Sequence, residues 1–392
     1  MQKSLNSPFT NRGVVNTYYV LFDWFECTFL DENFMYNDTS GEWLETRSGF
    51  DVCKDLFEYL FDIDYKDLVI EYKGVNGYNC TLSFKNIKLL FNFTRPDMGI
   101  HLLMSGSACR DFEELGLDYQ VLFSKINSYQ VNYNRIDVSI DDFRGEYFNL
   151  QKLVNYVLND SLATKFKSVL SIIKYNTYGA KELGNSLQFG SRASNIQITF
   201  YDKLLERKSK DILVDTDITS WIRTETRFRD THAKYIITEY IKDSSSLNTI
   251  LKSVIYNYLD FKVLESSDSN KSRRPTASWW LGFLDNVDKL RIANYLPEST
   301  ITKKRNWLIN SISRSQLMVY VSDLDLRKFD VVTSDFILEL LKKGSDSLDK
   351  SDLQLINDYR DKNKLERLTF SDIKDYINAL ETNMAFVNVE KL

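Results

Sequence analysis

Asn195–Lys210 reads NIQITFYDKLLERKSK, and its pattern decides what kind of fold the chain builds. Strand-favouring residues run up to Tyr201 and give way at once to a charged, helix-prone segment. With a period of two, Ile196, Ile198 and Phe200 point to one side and Gln197, Thr199 and Tyr201 to the other. The apolar set faces a core, so the tyrosine belongs to the polar face of a sheet. The chain holds 23 tyrosines, and packing is the default role of an aromatic residue in a strand. Tyr201 therefore stands out only if its surroundings do.

Two flanking segments repeat the pattern. In Val131–Phe143, VNYNRIDVSIDDF, alternation puts Arg135, Asp137, Ser139 and Asp141 on one face and Ile136, Val138 and Ile140 on the other. Asp137 and Asp141 are then ~13 Å apart along a strand, too far to share one ion unless the strand bends. Asp137 is the stronger ligand candidate, and Asp141 or Asp142 instead suits the cap of a helix over 147–158. In Ser220–Arg229, SWIRTETRFR, Arg223, Glu225 and Arg227 share one face. A charged stripe inside a strand is either solvated and salt-bridged, or it lines a site where arginines bind phosphate around a carboxylate. If these three strands are neighbours, a hydroxyl meets a carboxylate metal site on an arginine-lined surface. That combination suits transfer of a phosphodiester to tyrosine.

Further out, Val14–Leu30 reads as a long strand interrupted by Asp23 and Glu26. A buried carboxylate needs a partner, so Asp23 lies at the site or is paired structurally. Helical spacing covers 52–60, and strands over 68–72, 78–84 and 87–94 form an antiparallel meander. A strand over 99–105 leads through MSGSACRDFEEL to a helix opened by Cys109 and Arg110 and running to about Tyr129. Its N-terminus with Arg110 offers a phosphate site, or is an ordinary strand-to-helix turn. Strands over 169–175 and 186–190 precede a tight polar turn at Gly190, Ser191 and Arg192. After His232 the patterns are helical over 233–242 and 247–258, with a last short strand over 259–264. The polar, serine-rich run 265–275 closes on a proline and reads as a linker. Helices over 279–290, 301–311, 334–342, 349–362 and 371–381 follow. The fold class is α+β: a loose N-terminus (1–13), an antiparallel-sheet catalytic domain with flanking helices (14–264), the linker, and an all-α C-terminal domain (276–392).

Composition narrows the function. A chain of 392 residues is enough for two or three domains with real cores. A net charge of −5 excludes attachment to nucleic acid or membrane by overall charge, so any DNA contact uses a local patch. Candidate patches are Lys203 to Lys210 with Arg207 and Lys208, then Lys271, Arg273 and Arg274, then Lys303, Lys304 and Arg305. Cys27, Cys53, Cys80 and Cys109 lie far apart, against a structural zinc site or a disulfide framework and in favour of a reducing compartment. His101 and His232 are the two histidines, which excludes zinc hydrolases built on HExxH and initiators with a paired-histidine metal motif. Metal chemistry must use carboxylates. No window approaches the ~20 apolar residues of a membrane helix, and the expected location is cytoplasmic.

Four segments, LLMSGSACRDFEEL, NRIDVSIDDF, LQFGSRASNIQITFYDKLLERK and WIRTETRFRDTHA, resemble in order and spacing the motifs of the replication initiation factor (Rep_trans) family. That family includes rolling-circle initiators of bacterial plasmids and phages, and relaxases of conjugative elements. The resemblance covers residues 14–264, and 279–318 is similar to the helical part of the conjugative members. It implies a site-specific, metal-dependent DNA-nicking and rejoining enzyme with Tyr201 as nucleophile, leaving a 5′-phosphotyrosine. It further implies Mg²⁺ or Mn²⁺ on carboxylates drawn from Asp137, Asp141 and Glu225, and DNA contacts from Arg110, Arg135, Arg192, Lys203, Arg207, Lys208, Arg223 and Arg227. The partners to expect are origin DNA exposed as a hairpin or single strand, a helicase, and a second copy of the chain. Ser107 departs from the family, whose members more often carry a second glycine there. The rival from another class is an origin-binding protein that keeps the fold without nicking. A tyrosine recombinase or topoisomerase would place its tyrosine late in an all-helical domain, unlike the strand here.

Overall fold

Apolar–polar alternation recurs through the first 229 residues, and the computed structural model gathers the alternating segments into one antiparallel sheet of ten strands. Residues 18–292 are described, apart from 38–42, 47, 179–181, 192, 213, 215–217 and 265–267, together with 308, 338, 340–346, 348–362 and 364–389. In chain order the elements are β1 (Tyr18–Phe29), β2 (Met35–Asn37), β3 (Trp43–Thr46), α1 (Gly49–Phe61), β4 (Val69–Glu71), β5 (Cys80–Phe84), β6 (Ile87–Phe91) and β7 (Ile100–Met104). Then come α2 (Gly106–Glu114), α3 (Tyr119–Ile126), β8 (Val131–Asp142), α4 (Leu150–Leu158), β9 (Leu162–Thr164), β10 (Val169–Tyr175), β11 (Glu182–Phe189), β12 (Ile196–Asp202) and α5 (Lys203–Ser209). The series continues with β13 (Ile222–Arg229), α6 (Asp230–Lys242), α7 (Leu247–Tyr258), β14 (Leu259–Phe261) and α8 (Ser278–Phe283). Beyond them lie α9 (Lys350–Lys362) and α10 (Phe370–Val389).

Strands stand in the order β10-β11-β12-β13-β8-β1-β7-β6-β5-β4, so the three charged segments β12, β13 and β8 are neighbours. One face of the sheet is apolar. Phe22 of β1 meets Tyr119 and Phe123 of α3, with ring centroids 4.7 and 5.3 Å away, and Tyr240 of α6 at 5.0 Å. Ile136, Val138, Ile196, Ile198, Phe200 and Phe228 are buried on the same side. Each such side chain contributes about 1.5–3 kcal/mol by leaving water. The opposite face carries the polar residues of the same strands, the arrangement expected of an antiparallel sheet packed on one side.

Several boundaries differ from the sequence reading. The helix expected from Cys109 to Tyr129 is two helices. α2 begins earlier, at Gly106, and the chain breaks at Gly116, whose φ of 72° lies in the left-handed region. Asp118 then caps α3 by accepting from the amides of Gln120 (2.6 Å) and Val121 (3.1 Å). The cap of α4 is Asn149, which accepts from Lys152 N at 2.8 Å. Asp142 accepts instead from the amides of Arg144 and Gly145, at 2.9 and 2.8 Å. His232, the third residue of α6, is buried.

The expected linker at 265–275 does not separate two bodies. Lys262 bridges Thr276, Ala277 N donates to Phe261 O at 2.8 Å, and Arg274 Nη1 donates to Asp160 O at 3.1 Å. Trp280 and Phe283 of α8 are fully buried in the core of the sheet unit, and Trp280 Nε1 donates to Leu259 O at 3.0 Å. The division into two compact units falls between Asn294 and Tyr295. The polar run signals exposure, and exposure is not independence: the aromatic residues after it complete the core. The helix expected over 279–290 ends at Phe283, where Asp285 and Asn286 take positive φ of 55° and 56°. The expected N-terminus 1–13 and the helix 301–311, Leu308 excepted, lie outside the described residues, as does most of 334–342. Among the described residues no helix is long and apolar enough to cross a membrane.

Because Trp280 belongs to the sheet unit, Trp280→Ala should cost about 3–5 kcal/mol and lower the urea midpoint of the unit that holds the sheet. An unchanged sheet transition would show that α8 is not part of this core.

Candidate active site

Strand register assembles the site in rows. Tyr201 pairs with Arg223, which pairs with Asp141; Thr199, Glu225 and Ser139 form the next row; Gln197, Arg227 and Asp137 the third. All nine side chains share the polar face, as alternation requires. The diagonal between rows brings Tyr201 and Glu225 together, and the phenol donates to Glu225 Oε2 at 3.2 Å. Burial pushes the Tyr201 hydroxyl well above its ordinary pKa; Arg223 pulls it down, and the Glu225 charge pushes it up. The phenol is therefore neutral until an incoming group changes its surroundings.

Arg223 is the buried centre of the cluster, only 4% exposed. Its Nε and Nη2 donate to the two oxygens of Asp141 at 2.6 and 2.7 Å, and its Nη1 to Asp23 Oδ2 at 2.8 Å. Asp137 is held from two sides. Arg135 grips both of its oxygens, Nε at 2.8 Å from Oδ1 and Nη2 on Oδ2. Arg227 approaches it at 3.3 Å, reaching Gln197 Oε1 at 3.0 Å and Glu225 Oε1 at 3.6 Å as well. Around Tyr201 four carboxyl groups (Asp23, Asp137, Asp141, Glu225) thus meet three guanidiniums (Arg135, Arg223, Arg227). Glu225 is the carboxyl left short of counter-charge. Burial first, then Asp137 and Asp23, push its pKa up to about 7 against the pull of Arg223 and Arg227.

Asp23 enters this set through a β-bulge. The register of β1 on β8 slips between Phe22 and Trp24, leaving Asp23 as the extra residue and re-aiming its side chain. Arg110 holds the bulge: its Nη2 donates to the Phe22 carbonyl, and its Nη1 pairs with Glu113 at 2.7 Å. Gly106, the first residue of α2, lies against it, and a Cβ there would sit 3.1 Å from Asp23 Oδ1 and 3.2 Å from its carbonyl oxygen. The MSGSACR turn therefore serves as a clamp on Asp23. The close backbone approach belongs to Gly106, while Ser107 is exposed.

The remaining basic residues divide. Lys203 pairs with Glu206 at 2.7 Å and lies 5.4 Å from the Tyr201 ring centre. Arg207 sits 5.4 Å from the Trp221 ring, with its Nε buried and without a hydrogen-bond partner. Burial and the like charge of Arg223 lower its pKa. Lys208 is exposed on α5. Arg192 lies outside the described residues. Arg135, Arg223 and Arg227, expected to meet DNA, each hold carboxylates in this structure, because a desolvated acid requires a counter-charge.

The expected metal ligands divide in the same way. Asp141 gives both oxygens to Arg223, and Asp137 gives both to Arg135, so each serves here as a counter-ion first. Among the described residues no three Asp, Glu, His or Cys side chains form a ready metal-holding group. The surplus of negative charge lies at Glu225, with Asp137 and Asp23 around it, and there a cation would be favoured. Alternation alone marked Tyr201, Asp137 and Glu225. Asp23 was visible only as a charge interrupting an apolar strand, since a bulge leaves no periodic mark.

A family model for the replication initiation factor matches residues 131–339, and one for the rolling circle replication initiation protein N-terminal domain matches residues 42–126. A curated protein of Bacillus subtilis (strain 168), a putative DNA relaxase NicK, is 27% identical over 281 residues, 70% of this chain and 78% of the relative. The solved structure of a rolling circle replication initiator protein from Geobacillus stearothermophilus superposes with a TM-score of 0.57 at 30% identity, covering 70% of this chain and 98% of that one.

Asp141→Asn should leave Arg223 buried with half its pairing, at a cost of about 3–5 kcal/mol; a wild-type urea midpoint at pH 7 would contradict a structural role for the Asp141–Arg223 pair. Glu225 gives a pH signature in metal-free buffer. Its folded pKa of about 7 exceeds the ordinary 4.5, so between those values the unfolded chain releases a proton that the folded one keeps. Stability should fall as pH rises through that window, by about 2–3 kcal/mol, and urea titrations of Glu225→Gln should show a flatter profile.

Proposed function

The chain belongs to the replication initiation factor family, and on that premise we propose that it cuts one strand of an origin DNA with Tyr201 and stays joined to the 5′ end. The observation that carries the reading is the Tyr201 hydroxyl on Glu225, 3.2 Å away, in the middle of a polar face lined by guanidiniums. Names of the relatives, one a relaxase and one a rolling-circle initiator, support the same chemistry. The biological outcome is rolling-circle replication or conjugative transfer.

In the proposed step Tyr201 Oη attacks the phosphorus of the scissile phosphodiester in line. The Oη–P bond forms, the bond to the 3′ oxygen breaks, and the 3′ oxygen leaves as a hydroxyl after taking a proton from water. Glu225, as carboxylate, receives the phenolic proton, being the acid that already accepts the phenol's hydrogen bond. Attack of a 3′ hydroxyl on the phosphotyrosine, with the proton moving back, rejoins the strand. Arg207, with no acidic hydrogen-bond partner among the described residues, and Lys203 beside the ring are the cations best placed to take the phosphate charge. Glu225 and Asp137, with Asp23 beside them, are the residues that would hold a divalent cation such as Mg²⁺ or Mn²⁺. When bound, it would offset charge on the phosphate and favour the phenolate.

With supercoiled origin plasmid and Mg²⁺ or Mn²⁺, wild-type protein should give nicked DNA and a detergent-resistant protein–DNA adduct. Tyr201→Phe should give neither while still binding the plasmid; undiminished nicking by that variant would sink the assignment. Chelation with EDTA should stop nicking reversibly. Glu225→Gln should slow it by about 10²–10⁴-fold at unchanged DNA affinity, and a loss of binding instead would argue against a chemical role.

A further inference from the structure

Trp24 is left unexplained by the chemistry at Tyr201. It follows the bulge residue and lies opposite Asp137, so its side chain falls on the polar face, in the row of Gln197, Arg227 and Asp137. It is half-buried, and it joins neither hydrophobic cluster of the described residues. Its indole Nε1 donates to Glu26 Oε1 at 2.5 Å, and the Arg135 guanidinium stands 4.2 Å from the ring centre. Arg135 is itself fixed by two bonds to Asp137. The result is an indole plate tethered at its N–H edge, backed by a cation that cannot swing away, and partly open to solvent.

A large ring in that position gains little from the fold and is poorly hydrated. Such a plate suits a nucleobase. Base–aromatic stacking is worth about 1–3 kcal/mol per base and tolerates any sequence, because every base has a π-face. Trp24 lies three strands and two ladder rows from Tyr201, ~20 Å between Cα atoms by the usual spacings, a separation that a few nucleotides of single strand bridge. The three rows from Tyr201 to Trp24 carry Arg223, Glu225 and Arg227 in turn, so a strand crossing them would run from the reacting phosphate to the plate. The net charge of −5 gives no general attraction for DNA, which makes a stacking contribution more valuable to binding here than on a basic surface.

We propose that Trp24, backed by Arg135, is the stacking platform for an unpaired base of the strand whose phosphate meets Tyr201. This rests on the reading of Tyr201 as the strand-cutting residue, yet it concerns binding and is read without cleavage. The probes are a fluorescent oligothymidylate of a dozen nucleotides and an abasic strand of equal length and charge, each titrated against the full chain. Wild type and Tyr201→Phe should both prefer the thymidylate, by about 5- to 100-fold. Trp24→Ala should lose the preference while keeping the salt dependence, which reports phosphate contacts alone; Trp24→Phe should restore most of it. In a second measurement thymidylate should quench the tryptophan emission of wild type, and Trp24→Phe should lose that quench at similar affinity. A preference unaltered in Trp24→Ala, a quench unaltered in Trp24→Phe, or a wild type that does not prefer bases overturns the platform alone. A preference that tracks Trp24 in a protein that never nicks origin DNA leaves the platform standing and overturns the role of Tyr201. Binding to neither strand overturns both.

Discussion

Everything at the polar face depends on Arg223 being buried and doubly paired. A guanidinium without water must be surrounded by acids, and here Asp141 takes two of its nitrogens and Asp23 the third. Those acids come from β8 and β1, so one side chain of β13 ties three adjacent strands together on the face opposite the hydrophobic core. With Arg223 saturated, Glu225 in the next row has, among the described residues, no close partner except the tyrosine hydroxyl, with Arg227 at 3.6 Å. The reactivity assigned to Tyr201 thus follows from the charge balance: four acids, three guanidiniums, and a carboxyl that accepts the phenol's hydrogen bond.

Much of this was legible in the sequence, for a definite reason. Period-two alternation is a property of single strands, and Tyr201, Asp137 and Glu225 each follow it, so their common face could be read before any pairing was known. Three other features needed partners that alternation does not specify. The pairing of Asp141 with Arg223 requires the β8–β13 register. Asp23 reaches the site only because β1 slips by one residue. Arg110 looked like a phosphate ligand because it opens a helix, and it turned out to be engaged by the Phe22 carbonyl, a contact between segments 88 residues apart. At the level of whole units, the serine-rich run at 265–275 misled for a related reason: local polarity reports contact with water, whereas the fate of Trp280 depends on the core it completes.

A tyrosine on an inner strand of a ten-stranded sheet differs in kind from one on a loop. Its backbone is fixed on both sides by β11 and β13, and its position is set to within the small motions of packed strands. On the proposed reading of Tyr201, an attacking group held this rigidly has little orientation left to lose. The flexible partner is then the nucleic acid, a single strand able to bend its phosphate into line.

The bulge at Asp23 also ties the site to the sheet that carries it. An inserted residue in β1 breaks one rung of an otherwise regular ladder and supplies the second acid for Arg223 in the same event. Loss of that one residue would mend the ladder and leave the hydrophobic face unaltered, but it would take from the buried Arg223 its second acid. One residue thus sets the regularity of the ladder against the charge balance of the polar face.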